Sequence, residues 1–133
     1  MAEPIHYVDR SDIREGRLAE VRDLMRELAA FVEAHEPRLL AYGCYIDESG
    51  STMSVVAVHP DTESMEFHME IGGPKFREFG PLIRLRSIDV FGRPGPEAVR
   101  ALRQKAEMLG GATVTLHALE AGFSRQEPPR GTA

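Results

Sequence analysis

The 133 residues are 42% hydrophobic and 28% charged, the balance of an ordinary globular domain. A chain of this length buries roughly two-thirds of the surface it exposes when unfolded, enough for a continuous core. The net charge of −5 lacks the excess of basic residues that nucleic-acid modules carry. No apolar run approaches the ~20 residues of a bilayer span, and the first residues lack the charged-then-apolar order of a secretory leader. A cytoplasmic protein without nucleic-acid or membrane partners is expected. The single cysteine, Cys44, rules out a disulfide within the chain and fits a reducing compartment.

In chain order, residues 5–9 (IHYVD) read as a strand and RSDIREG as a turn-rich link into a helix. Within that helix Leu18, Val21, Leu24, Met25, Leu28, Phe31 and Val32 recur at the 3, 4, 7 spacing of an amphipathic helix, and Pro37 stops it near His35. Residues 38–47 read as a strand, ESGS as a hairpin turn and 52–59 as the returning strand. Asp61 or Thr62 caps a second helix, which Gly72-Gly73-Pro74 is expected to break after Ile71. A fourth strand covers 84–92. Pro96 then opens a helix with apolar spacing at Val99, Leu102, Ala106 and Leu109, Gly110 caps it, and 112–119 form a fifth strand. The polar, proline-rich residues 124–133 read as a disordered tail.

The order βαββαβ plus a trailing αβ unit predicts an α+β, ferredoxin-like sandwich with helices on one face of a mainly antiparallel sheet. It divides into a core over residues 1–92 and a helix–strand extension of the same domain over 93–123. A sheet with one wet face alternates apolar and polar residues. The second strand instead puts Leu40, Tyr42, Cys44 and Ile46 on one face and Leu39, Ala41 and Tyr45 on the other, and the third puts Met53, Val55 and Ala57 opposite Val56 and Val58. Something must cover the second face. A homodimer with packed sheets is the expectation, and coverage by the trailing helix is the alternative.

From Tyr7 to about Val90 the chain resembles the antibiotic biosynthesis monooxygenase (ABM)-like family of dimeric α/β barrels. DIREGRL stands for the family's first turn, PRLLAYGCYIDESG for its second strand and hairpin, and HPDTESMEFH for its strand-to-helix passage. Asp61 and His68 match the family's Asp and His, PKFREF echoes a following Phe-x-x-Phe, and His59 stands where many relatives carry Trp. The resemblance implies a dimeric barrel and a small-molecule enzyme, either a cofactor-independent monooxygenase or an isomerase or cyclase, acting on an aromatic or polyketide-like compound. No cofactor is implied. A haem-binding or haem-degrading relative is a third reading, and a non-catalytic ligand-binding or structural dimer is the competing one.

The candidate site is the stretch from His59 to Phe76. On a helical wheel His68 falls in the middle of the buried arc, with Glu63, Glu66 and Glu70 on a solvated stripe. A core histidine bonded to the backbone and a catalytic histidine in proton transfer are both open there. His59, Tyr42, Met65, Met69 and Phe76 are the candidate substrate contacts, with Phe67 and Phe79 available for the same apolar wall. His59, Asp61 and His68 form a weak metal trio because no i, i+4 ligand pair shares a helical face, and no metal is expected. Cys44 reads as an inert buried thiol, Arg84 and Arg86 as surface or dimer ion pairs, and His6, His35 and His117 as lying on wetter surfaces.

Overall fold

The computed structural model describes residues 3–125. In chain order they form β1 (Ile5–Ile13), α1 (Leu18–His35), β2 (Ala41–Ile46), β3 (Thr52–His59), α2 (Thr62–Glu78), β4 (Ile83–Phe91), α3 (Pro96–Met108) and β5 (Thr113–His117). The strands make one sheet in the order β2-β3-β1-β4-β5. β1 pairs antiparallel with β3 and β4, β2 pairs antiparallel with β3, and β5 lies parallel to β4. This is the ferredoxin-like βαββαβ arrangement with one further helix–strand unit. The parallel β4–β5 pair needs a crossover, and α3 supplies it. Among the described residues no helix is long and apolar enough to cross a membrane.

β1 is the central strand and runs four residues beyond the expected 5–9, to Ile13. Arg10, Ser11 and Asp12 look like turn residues, but both neighbouring strands pair with them, and Ser11 turns into the core at 1% exposure. Pairing on both sides overrides their weak strand propensity. β2 is shorter than expected, 41–46 against 38–47, because Leu39 bonds back to the Glu36 carbonyl in the turn that follows α1. The expected tail at 124–133 lies outside the described residues apart from Ser124 and Arg125.

All three helices lie on one face of the sheet. α1 buries Val21, Met25, Leu28 and Val32, and α3 buries Ala98, Leu102, Lys105 and Ala106, with the Lys105 side chain reaching Tyr7 and Asp9 on β1. The trailing helix therefore does not cover the second face, where Tyr45 and Phe91 are 58% and 42% exposed.

The expected break at Gly72-Gly73-Pro74 does not occur: α2 continues through Pro74 to Glu78. Proline forfeits one hydrogen bond inside a helix. Burial of Phe76 and Phe79, each 4% exposed, fixes the last turns onto the core and offsets that loss. The two glycines have different surroundings. A Cβ on Gly72 would stand 2.5 Å from Phe76 Cζ, whereas a Cβ on Gly73 meets nothing within 4 Å.

Gly72→Ala should therefore destabilise the protein by ~1–3 kcal/mol through overpacking against Phe76, while Gly73→Ala should be neutral or stabilising by up to ~1 kcal/mol through helix propensity. Urea unfolding of the two variants checks the opposite signs.

Candidate functional site

Two groups of polar side chains are buried between the sheet and the helices. The first gathers along α2. Pro37 ends α1, and the residue before it, Glu36, turns its side chain inward at 5% exposure. His68, 3% exposed on α2, donates from Nδ1 to Glu36 Oε2 at 2.6 Å. The rings of Tyr42, His59 and Phe76 surround it, with centroids 5.3, 5.5 and 5.2 Å from its own. A histidine held by a carboxylate on one nitrogen has a fixed orientation and its second nitrogen left for proton exchange. Glu36 Oε1 is buried and has no hydrogen-bond partner among the described residues.

His59 ends β3 at 1% exposure and shares a 2.9 Å hydrogen bond between Nδ1 and Ser64 Oγ. Burial, with His68 nearby, pushes its pKa down to about 3. Asp61 caps α2 by accepting from Ser64 N at 2.9 Å and also pairs with Arg38, whose guanidinium holds its carboxyl below the usual range. With Asp61 turned to Ser64 and Arg38, and His59 bonded to Ser64, the sequence-level trio of His59, Asp61 and His68 does not form a metal-binding arrangement. No group of three or more potential ligands among the described residues does.

The second group lies on β1 and α3. Tyr7 donates its hydroxyl hydrogen to Asp9 Oδ2 at 2.5 Å, and Lys105 Nζ donates to Tyr7 OH at 2.7 Å while standing 3.4 Å from Asp9 Oδ2. Tyr7, Asp9 and Lys105 are 3%, 3% and 8% exposed. The Lys105 ammonium also lies over the Phe76 ring, 4.1 Å from its centroid. Burial lowers the Lys105 pKa against the opposing pull of Asp9, and burial together with Asp9 raises that of Tyr7 far above its ordinary value. Ser11, two residues along β1, has an Oγ with no partner among the described residues.

A cavity of about 20 Å³, room for one water molecule, lies against this second group, with Asp9, Ser11, Tyr42, Phe76 and Lys105 in its wall. Tyr42 and Phe76 line it and also stand beside His68, which does not border it. Of the sequence-derived substrate contacts, Tyr42 and Phe76 line the cavity, while His59, Met65 and Met69 do not; Met65 is packed in the core and Met69 is partly buried against it. Phe67, considered for the same wall, is 45% exposed. Cys44 is a half-buried thiol with its pKa raised by burial to about 11, and Arg86 pairs with Asp12 at 3.1 Å. His117, on the outer face, bonds to Asp89 at 2.8 Å and stacks on Phe91.

Sequence reasoning passed over Lys105, Asp9 and Glu36, although two of them carry a visible signal. Lys105 occupies the i+3 position from Leu102 on the buried stripe of α3, and Asp9 occupies an inward position in the alternation Ile5, Tyr7, Asp9, Ser11. A charge at a core position of a periodic pattern is the mark to look for.

No family model matches the chain, and no curated protein matches it. Solved structures do. MupZ from Pseudomonas fluorescens aligns over 94% of this chain and 91% of its own at 21% identity, with a TM-score of 0.72. SnoaB from Streptomyces nogalater, a cofactor-independent oxygenase, aligns over 71% of this chain and 96% of its own at 18% identity, with a TM-score of 0.59. A candidate antibiotic biosynthesis monooxygenase from Caulobacter crescentus aligns over 67% of this chain and 88% of its own at 20% identity, with a TM-score of 0.59. The chain shares their fold. The alignment with MupZ takes in most of the chain, whereas those with the other two leave about a third of it unmatched.

The environment of His59 has a consequence for acid stability. In the unfolded chain it protonates near the usual histidine value of about 6.5, but in the folded protein only near 3. Above about 6.5 both states are neutral and His59 contributes no pH dependence. As the pH falls below 6.5 the unfolded state takes up a proton the folded state refuses, so folding weakens down to about 3. Between pH 6 and 4 the wild type should lose about 1.4 kcal/mol per pH unit more than His59→Gln. Urea denaturation across that range measures the difference.

Proposed function

We propose that the protein is a small-molecule enzyme that works by proton transfer in the chamber between the sheet and its helices, acting on an aromatic or polyketide-like compound. The observation that carries this reading is the buried Lys105–Asp9–Tyr7 cluster against the central cavity. Burying an ammonium and a carboxylate costs several kcal/mol per ion before pairing returns part of it, and apolar residues of similar volume serve a plain core at least as well. Groups held at such cost beside a cavity are candidates for chemistry. His68, oriented by Glu36, is the proposed base, and Tyr42 and Phe76 are the proposed contacts to an aromatic ring. The finer reading is a cofactor-independent oxygenation, in which a deprotonated phenol itself reduces molecular oxygen in a dry chamber. SnoaB, with the same fold, is a cofactor-independent oxygenase.

One observation favours the competing reading of a non-catalytic dimer. At about 20 Å³ the cavity is far smaller than the roughly 150 Å³ that accepts a benzene ring, and His68 does not border it. Under the enzyme reading the Tyr42 and Phe76 rings must swing aside when substrate enters. Tyr42 stands on the edge strand β2, which has a strand neighbour on one side only.

A thermal-shift screen of phenols, quinols and polycyclic aromatics, with and without oxygen, separates the two. A ligand at 100 times its Kd should stabilise the fold by ~2.7 kcal/mol, and His68→Gln should stay folded while losing turnover. No shift with any compound, together with a His68→Gln variant altered only in stability, would favour the structural dimer.

The same proposal includes a homodimer formed through the outer sheet face, on which Val8, Val56, Tyr45 and Phe91 leave apolar surface uncovered by any helix. Light scattering at low micromolar concentration should give twice the chain mass, and Tyr45→Glu should shift the mass toward the monomer. A monomeric wild type would remove the proposal.

A further inference from the structure

The Lys105 ammonium is incompletely paired, and this bears on what the chamber holds. It stands 2.7 Å from the neutral Tyr7 hydroxyl but 3.4 Å from the Asp9 carboxylate, whose Oδ2 already accepts from Tyr7 at 2.5 Å. Asp9 is thus shared between two donors, and with two of its three hydrogens directed to Tyr7 and Asp9 the ammonium keeps one for the cavity it lines. Ser11, 1% exposed and on the same wall, holds a hydroxyl that no other described residue engages. The Phe76 ring, over which the ammonium lies at 4.1 Å from the centroid, and the Tyr42 ring complete the aromatic part of the wall. Once the Tyr42 and Phe76 rings move aside, a Lys105 hydrogen and the Ser11 hydroxyl offer an entering oxygen two donors, with aromatic faces beside them.

We propose that Lys105 and Ser11 form an oxygen pole that binds the ionised oxygen of a phenol or enol, so that the chamber selects acidic hydroxyl compounds over their ethers. This rests on the chamber being the substrate site, as proposed above. One O–H bond of the ligand breaks, its proton leaves the oxygen for a base or for solvent, and the new anion faces the ammonium while Ser11 donates a hydrogen bond. The charged and titratable groups around Lys105 are Asp9 and Tyr7 on β1 and Cys44 on β2. Tyr7 and Cys44 have pKa values raised by burial, so neither adds a negative charge at neutral pH, and Asp9 is the anion with which a ligand shares the ammonium. This role belongs to α3, which the part of the chain resembling the ABM family does not include.

4-Nitrophenol tests the inference because its colour reports its ionisation, and 4-nitroanisole, its methyl ether, has no acidic proton. Bound to the wild type, 4-nitrophenol should ionise ~1–3 pH units below its value in water, the range produced by an adjacent opposite charge. It should also bind at least tenfold more tightly than the ether at neutral pH. Lys105→Met should abolish both differences while leaving 4-nitroanisole binding in place, and Ser11→Ala should weaken 4-nitrophenol several-fold without affecting the ether. If Lys105→Met alone does not fold, the pair Asp9→Asn/Lys105→Met, which removes both charges, carries the same expectation. Equal binding of the two probes, or an unmoved ionisation midpoint, overturns the oxygen pole and leaves the chamber standing. Failure of every aromatic compound to bind removes the chamber and the pole together.

Discussion

An ammonium buried against the central strand sets the terms for the rest of this structure. Lys105 reaches from α3 across the helix layer to Tyr7 and Asp9, so the last helix is tied to the first strand by a charge that neither element could bury alone. Removing one partner would strand the other in the core, a change that typically costs ~3–5 kcal/mol. The consequence is mutual dependence. Asp9 is hidden because β1 is central, and Lys105 reaches it because α3 lies on the same face as α1 and α2, which leaves the outer face without a helix. The open face and the polar chamber follow from the same placement of α3.

The fold was largely legible in the sequence because it rests on periodicity. The apolar spacing of α1 and its stop before Pro37, the hairpin of β2 and β3, and the capping of α2 by Asp61 all appear as read. The misread positions are those where long-range packing outweighs local signals. Gly72-Gly73-Pro74 is a breaker by composition, yet Phe76 and Phe79 have enough apolar surface to bury that α2 continues through it. Arg10, Ser11 and Asp12 read as turn residues until β3 and β4 pair with them from both sides.

The site was legible only in part, for a related reason. His68 stands out because a histidine in the middle of an apolar arc is conspicuous, and it is indeed buried. Its partner Glu36 is 32 residues away in a segment that reads only as a helix stop, and no local pattern announces their contact. Lys105 and Asp9 are separated by 96 residues and become neighbours only when the crossover of α3 closes over the sheet. Each can be flagged as a charge at a core position, but their pairing is a property of the topology. A reading confined to the His59–Phe76 stretch finds the aromatic wall and misses the charged one.

The central claim is that the Tyr7–Asp9–Lys105 cluster is kept for function and is not required by the core. It can be tested without knowing any ligand, by replacing the cluster with apolar groups of similar volume and measuring stability. The triple variant Tyr7→Phe/Asp9→Leu/Lys105→Met should be as stable as the wild type or more stable by ~1–4 kcal/mol, as expected when a buried ion network gives way to well-packed apolar residues. Asp9→Leu and Lys105→Met singly should each be destabilising. A triple variant that loses as much stability as the single variants, or fails to fold, would contradict the account and make the cluster a structural element of the core.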